Sequence, residues 1–367
     1  MTDIERSFLV RALQLARRGC YTTKPNPRVG CVLVKHGKII AEGWHQYAGG
    51  PHAEIHALQV AGANVRGATC YVSLEPCSHH GRTPPCADAL IEAGVLRVVA
   101  AMTDPNPKVA GRGLARLRAH GVAVCSDVLV DEAWALNKGF CQRMRTGRPW
   151  VTAKLAMSLD GRTALANGDS RWITSSQARA DVHRLRAASG AMLTGVGTVL
   201  ADDPALTARI DAPVVQPVRV VVDSQLRMPA SARILAQPGQ TWIATAQVAD
   251  SGNAQRLQQA GADIISLPDA DGQVDLAALL TCLAQRDINE VMVEAGPTLN
   301  GALLRQGLVD EWVIYQAMSV LGDQARGLFA VPALTDMQAR WSLRLLDVRQ
   351  VGPDLRLILR PQDSTDC

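Results

Sequence analysis

The chain has 367 residues, 47% of them hydrophobic and 20% charged, with a net charge of +4. A length of this order suits two domains, and the balance of apolar and charged residues excludes a mainly disordered or low-complexity chain. Aromatics are only 4%, too few for a stacking track along single-stranded nucleic acid, and no apolar run approaches the ~18–20 residues of a membrane-spanning helix.

The chain opens on a helix pattern over residues 4–18. Phe8, Leu9, Ala12, Leu13, Leu15 and Ala16 recur at helical spacing and Gly19 ends the run. Asp3, Glu5, Arg6 and Arg11 interrupt what would have to be the apolar core of an export signal. Residues 29–35 and 38–43 are β-rich, with His36-Gly37 as the hairpin turn. A helix follows over 53–61, then strands at 69–74, 95–102 and 122–125, with helices near 87–93, 111–120 and 131–145. This alternation predicts a sheet with helices on both faces.

Thr146-Gly147-Arg148-Pro149 breaks the pattern. The expected domains are therefore 1–146 and 150–367. In the second, strands are expected at 150–156, 191–194, 218–222, 241–245, 263–267, 290–294, 311–315 and 356–359. Helices are expected near 176–187, 253–261, 276–284 and 299–306, which makes a second α/β domain. Residues 364–367 read as a frayed tail.

Charge is unevenly shared. Through Arg148 there are 19 Lys+Arg against 11 Asp+Glu, and beyond it 19 against 23. A basic first part suits a phosphorylated ligand or nucleic acid, while an acidic second part disfavours a long nucleic-acid track. Nine scattered cysteines without an export signal read as a chain of the reducing cytoplasm, where clustered cysteines bind metal rather than pair.

The chemistry concentrates at Pro51-His52-Ala53-Glu54 and, after the 69–74 strand, at Glu75-Pro76-Cys77 and Pro85-Cys86. Catalytic zinc takes three protein ligands and keeps a fourth position for water, and one imidazole with two thiols fits that count. His52, Cys77 and Cys86 each sit at a predicted helix start or on the turn leading to one, where free N–H groups favour a thiolate. Glu54 reaches such a site only if the His52–Glu54 pair occupies the irregular entry of its helix. It would then be a general acid/base beside an activated water. A structural zinc would recruit a fourth ligand, for which His79 and His80 are available, but a closed site would leave Glu54 without a task. His52 and His56 do not form a zincin motif, because Ala53 stands where the glutamate is required.

The order H-x-E, strand, P-C, Cys resembles the signature of zinc deaminases, with eight residues rather than two between the cysteines. Together with Pro25-Asn26-Pro27-x-Val29-Gly30, the Gly81-Arg82-Thr83-Pro84-Pro85 insert, Asp104-Pro105-Asn106-Pro107 and Gly111-Arg112-Gly113, it resembles the bifunctional riboflavin-biosynthesis deaminase/reductase family. The resemblance implies an N-terminal cytidine-deaminase-like α/β/α domain in which His52, Cys77 and Cys86 bind zinc and Glu54 shuttles the proton. It also implies a diaminopyrimidine ribosyl phosphate as substrate, with Asn26 and His45 lining its pocket.

In the second domain, Gly195-x-Gly197 is followed by Leu200 where a dinucleotide fingerprint needs glycine. Gly296, after a strand and before a helix, is a candidate anion site. The same resemblance implies a dihydrofolate-reductase-like α/β domain that uses NADPH. Ala156, Trp172, Thr198, Asp202, Ser224 and the run Gly296, Pro297, Thr298, Leu299, Asn300 and Gly301 would contact the cofactor. Ser170, Arg186, Leu206, Arg209 and Glu294 would contact the substrate. The forks of Arg186 and Arg209 suit a ribose 5-phosphate. Lys154 and Asp202 are the candidate proton donors while a hydride goes to the sugar carbon. A homo-oligomer without nucleic-acid or membrane partners is expected. Two rival readings are a nucleic-acid base deaminase with an accessory domain, and a structural zinc module fused to a nucleotide-sensing domain.

Overall fold

A computed structural model describes residues 2–78, 85–249 and 251–362. The chain divides into two compact units, Met1–Arg148 and Pro149–Cys367. His79, His80, the 81–84 insert and the 364–367 tail lie outside the described residues. Among those described, no helix is long and apolar enough to cross a membrane.

The first unit runs α1 (Asp3–Arg17), β1 (Gly30–Lys35), β2 (Lys38–Trp44), α2 (Ala53–Ala61), β3 (Thr69–Val72), α3 (Cys86–Glu92), β4 (Arg97–Ala100), α4 (Arg112–Ala119), β5 (Ala123–Cys125), α5 (Val130–Leu136) and α6 (Lys138–Thr146). The strands form one sheet in the order β2-β1-β3-β4-β5. β1 is antiparallel to β2 and β3, while β3, β4 and β5 are parallel.

Strand periodicity explains the layers, because successive side chains of β1 point to opposite faces. Cys31 and Leu33 pack with Ala53 and Ala57 of α2, Leu90 of α3 and Leu117 of α4. Val32 and Val34 pack with Leu9 and Leu13 of α1 and with Phe140 and Cys141 of α6. The expected helix over 131–145 is divided at Asn137, whose backbone leaves helical geometry at φ −118°. Its buried amide pairs with the backbone of Arg28 in both directions, at 2.8 and 2.9 Å, and this tertiary tie overrides the helical pattern.

The second unit runs β6 (Trp150–Met157), β7 (Arg162–Ala164), α7 (Ser176–Ala188), β8 (Ala191–Gly195), α8 (Val196–Asp202), β9 (Val218–Val222), β10 (Thr241–Thr245), α9 (Gly252–Gln259), β11 (Ala262–Ser266), α10 (Leu276–Gln285), β12 (Glu290–Val293), α11 (Pro297–Arg305), β13 (Glu311–Gln316), β14 (Arg326–Gly327), β15 (Leu343–Val351) and β16 (Asp354–Pro361). Its main sheet has the order β11-β10-β9-β8-β12-β6-β13-β16-β15. It is parallel from β11 to β13 and closes with the antiparallel β13, β16 and β15. Leu193 and Val293 face α10 and α11, and Met192 and Met292 face α7, α8 and α9.

Four elements of this unit escaped the sequence reading, among them the short strands β7 and β14 that pair with each other. α8 begins on Gly195-Val196-Gly197, whose glycines read as a turn, and its buried residues are only Val196 and Val199. β15 shows no clean alternation, because it is an edge strand with a register shift between Leu345 and Asp347.

At the amino end of β9, Arg219 is fully buried. Its guanidinium donates to the Pro238, Gln237 and Gly239 carbonyls and to Thr241 Oγ1, at 2.8–3.1 Å. Arg219→Met leaves several of these buried acceptors unpaired at about 1–3 kcal/mol each. Urea unfolding followed by tryptophan fluorescence should show a loss of ~3 kcal/mol or more; an unchanged midpoint would contradict this account.

Candidate active site

In parallel α/β sheets ligands bind beyond the carboxyl ends of the strands, and both units place their reactive side chains there. In the first unit, His52 is the N-cap of α2 with extended backbone (φ −73°, ψ 166°), and Glu54 lies in the first helical turn, 3% exposed. The pair thus occupies the helix entry, as it must for both side chains to serve one site. Gly43 permits this, since a Cβ there would lie 2.3 Å from the Ala53 carbonyl oxygen. β2 therefore presses directly on the first turn of α2. Cys77 lies beyond β3, and Cys86 opens α3. The Cys86 N–H donates to Cys77 Sγ at 3.3 Å and the Ala87 N–H to the Cys77 carbonyl at 3.2 Å.

His52 Nδ1 lies 3.2 Å from Cys86 Sγ and 3.6 Å from Cys77 Sγ. The three ligand atoms are within 4.8 Å of one another, and among the described residues no other group of three or more such side chains is so arranged. Their titration is that of groups sharing too few protons. Hydrogen bonds from the Cys86 thiol and His52 hold Cys77 down to about 4. Contact with Cys77 pushes His52 up to about 9, and the Cys86 thiol is driven well above its ordinary value by the neighbouring sulfur. A divalent cation resolves this competition by accepting both thiolates and a neutral imidazole, so the donor set fits zinc. Burial pushes Glu54 up to about 7, and its carboxyl is within hydrogen-bond reach of Cys86.

Asn26 and His45 stand behind His52. His45 is buried, and its Nδ1 faces the Pro51 carbonyl at 3.0 Å. Its Nε2 lies 3.1 Å from Asn26 Nδ2, and its ring meets that of His52 edge-on at 5.5 Å. Burial lowers the His45 pKa, which favours the neutral ring with Nδ1–H donating to Pro51 and Nε2 accepting from Asn26.

In the second unit, Lys154, Ala156, Ser170, Trp172, Arg186, Thr198, Asp202, Leu206, Arg209, Glu294 and the 296–300 stretch line one cavity of about 860 Å³. It lies where the parallel strands β6, β8 and β12 end, and the amino ends of α8 and α11 face it. Ser224 and Gly301 are not among its lining. Ser224 accepts the Val274 N–H at 3.2 Å beyond β9. Gly301 packs on residue 330, where a Cβ would lie 2.2 Å from the Ala330 carbonyl oxygen.

The two arginines expected on a phosphate differ. The fork of Arg186 is taken by Glu294, with Nε–Oε1 at 2.5 Å and Nη2–Oε2 at 2.8 Å, and its Nη1 donates to the Thr207 carbonyl at 3.2 Å. Arg209 is exposed and is steadied by His183, whose ring nitrogens lie 3.0 Å from Arg209 Nη2 and 3.3 Å from its backbone N. Burial and the charges of Arg186 and Arg209 hold His183 down to about 4, so the ring is neutral and offers an acceptor. His183 was not read from the sequence. Its signal was its place three residues before Arg186 on α7, which puts both on one helix face. The parallel register sets Glu294 beside Lys154, one step beyond the Val293–Ala153 pair. Burial raises Glu294, but the charge and hydrogen bonds of Arg186, helped by Lys154, outweigh it and hold the carboxyl at about 2. Burial lowers the Lys154 pKa.

An imidazole and two thiols converging beside a buried carboxyl on an α/β/α sheet, joined to a second unit with a cation-lined cavity at its strand ends, define a zinc-dependent deaminase fused to a nucleotide-dependent reductase. Comparison with known proteins agrees. Residues 2–102 match the cytidine and deoxycytidylate deaminase zinc-binding region, and residues 149–357 match the RibD C-terminal domain. The riboflavin biosynthesis protein RibD of Escherichia coli is 53% identical over 364 residues, covering 96% of this chain and 98% of that one. That of Haemophilus influenzae is 46% identical, with 97% of each chain covered. Among solved structures, RibD of Acinetobacter baumannii superposes with a TM-score of 0.92 at 44% identity, over 98% of this chain and 99% of that one. The deaminase/reductase of Thermotoga maritima does so with a TM-score of 0.87 at 34% identity and the same coverage. The chain belongs to the RibD family of riboflavin biosynthesis proteins. Its units have cytidine-deaminase-like and dihydrofolate-reductase-like folds.

The Arg186–Glu294 pair generates a pH-dependent prediction. A carboxyl whose folded value lies below its ordinary 4.5 stabilises the fold above 4.5, and that contribution is lost as pH falls from there toward 2. Glu294→Gln should therefore cost on the order of 3 kcal/mol at pH 7. The gap to the parent protein should narrow between pH 5 and pH 3, read from urea midpoints. A gap that widens on acidification would refute the assignment.

Proposed function

We propose that residues 1–146 deaminate a 2,5-diamino-6-ribosylamino-4(3H)-pyrimidinone 5′-phosphate and that residues 150–367 reduce the ribosyl group of the product to a ribityl chain with NADPH. The observation that carries this reading is the convergence of His52, Cys77 and Cys86 beside the buried Glu54. Zinc, when bound to these three ligands, supplies the Lewis acidity that brings water deprotonation into the neutral range. Glu54 accepts the proton of the attacking water and hands it to the amine nitrogen. The C–N bond breaks, ammonia leaves, and the ring carbon keeps the oxygen. A carboxyl that titrates near neutrality can do both. Asn26 and the neutral His45 line the pyrimidine pocket and hold His52 in place through Pro51.

In the reductase unit, NADPH supplies the hydride when bound. Ala156, Thr198, Asp202 and the amino end of α11 are the cofactor side, where helix-start N–H groups suit its phosphates. The exposed Trp172 offers an aromatic face to the cofactor. Ser170, Leu206, Arg209 and Glu294 are the substrate side. Arg209, with its guanidinium steadied by His183, takes the ribose 5-phosphate, while Arg186 keeps Glu294 ionised. As C1′ gains the hydride, the ring C–O bond breaks and the ring oxygen needs a proton. Lys154, acidified by burial, and Asp202 both line the cavity and are the candidate donors.

The chain works on this reading as a cytoplasmic homo-oligomer without nucleic-acid partners. Two sulfurs this close would pair in an oxidising compartment. β15 ends the sheet as an open edge carrying exposed Leu345, Leu346 and Val348, the kind of strand that a second copy covers. Val348→Arg should shift the mass seen by light scattering toward the monomer; an unshifted mass would remove β15 from the interface.

Purified chain given substrate, zinc and NADPH should release ammonia and lower the absorbance at 340 nm. Glu54→Gln should cut ammonia release at least ~100-fold while reduction of the deaminated intermediate continues. Wild-type ammonia release would overturn the role of Glu54. Arg209→Ala should raise the reductase KM for substrate at least ~tenfold and leave that for NADPH within twofold. Equal weakening of both would reject the phosphate role.

A further inference from the structure

Cys77 hangs on a segment that belongs to neither helix nor strand, yet a metal ligand must hold its place to within about 0.5 Å. Two residues before it, Glu75 is 4% exposed. Its carboxylate accepts four backbone N–H groups. Oε2 takes those of Asp104 (3.1 Å) and Gly111 (2.9 Å), and Oε1 takes those of Gly113 (2.9 Å) and Leu114 (3.2 Å). A carboxylate has about four lone-pair sites, so all are filled. The Glu75 N–H in turn donates to the Met102 carbonyl at 3.0 Å.

Three of the four donors belong to the start of α4. Its N-cap, Gly111, has no side chain to satisfy them, so the cap comes from a distant part of the chain. The intervening Pro76 is held as tightly. A Cβ on Gly113 would lie 1.9 Å from the Pro76 carbonyl oxygen, so the first turn of α4 is in direct backbone contact with the residue before Cys77. On its far side Cys77 is tied to α3 by the Cys86 and Ala87 N–H groups. The loop is thus strung between the amino ends of two helices, α4 through Glu75 and α3 through Cys77 itself.

We propose that Glu75 is a positioning residue of the deaminase: by docking on the amino end of α4 it fixes Pro76, and through it the place of Cys77 Sγ relative to His52 and Cys86. This rests on the zinc reading above and adds to it the residue that holds one ligand in register. Glu75 acts through Cys77 and takes no part in the proton transfers.

The test uses the full-length chain with the Glu75→Gln and Glu75→Asp substitutions. The glutamine turns one oxygen into a donor that faces two N–H groups; the aspartate keeps the charge but falls one methylene short. Zinc release to a chromogenic chelator should be at least ~tenfold faster in Glu75→Gln, as is usual when an outer-shell partner of a ligand is lost. Deaminase kcat should fall by a similar factor with KM within twofold, while reductase kcat in the same chain stays unchanged. The visible spectrum of the cobalt-substituted protein should shift, and Glu75→Asp should fall between Gln and the parent in each readout. Parent-like zinc release and cobalt spectra in both variants would overturn the proposal. So would a loss carried by KM alone, or loss of the cooperative melt of the deaminase unit in both, which would make the clamp general scaffolding. Failure of the zinc reading itself would appear in the unsubstituted chain, as less than one zinc per chain or no ammonia release.

Discussion

Two sulfurs and an imidazole nitrogen packed within 4.8 Å are the constraint on which the first unit is built. Held that close they cannot all keep their ordinary protonation, and a divalent cation is the ligand that satisfies all three at once. The surrounding structure serves to hold this arrangement. His52 caps α2, Cys86 opens α3, and the loop bearing Cys77 is tied to both α3 and α4. Both ties of the Cys77 loop use N–H groups that a helix leaves free at its start, so the same feature that favours a thiolate also anchors the chain that carries it.

The second unit solves a different problem with the same geometry. It must hold two phosphorylated ligands and keep a carboxylate charged among them. Several cations line its cavity, and they do not share one task. Arg186 is committed to Glu294, His183 is kept neutral by its cationic neighbours, and Arg209 is exposed, as are Arg171, Arg233 and Arg326. The division follows from burial. Of the two arginines expected on a phosphate, the inner one reaches a carboxylate and the outer one stays at the surface.

Leu206 shows what this geometry demands of the backbone. It sits at φ +48°, in a region that a branched side chain seldom adopts, with its side chain buried. That conformation directs residue 206 into the core while Arg209, three residues on, stays at the surface of the same cavity. Strain of this kind is characteristic of segments whose course is set by a site.

The sequence alone determined the alternation of elements in both units, the break near residue 147 and the grouping of His52, Glu54, Cys77 and Cys86, because periodicity and motif spacing are local properties of the chain. It also contained Glu75 and His183, but not their partners. The four N–H groups on Glu75 come from residues 104–114, and the contact of His183 with Arg209 spans 26 positions. Tertiary structure alone decided that Asn137 divides a helix, that α8 forms on two glycines, that Ser224 and Gly301 stay out of the cavity lining, and that Arg186 rather than Arg209 pairs with Glu294. These outcomes depend on which backbone groups and charges meet after folding, and no local pattern records such meetings.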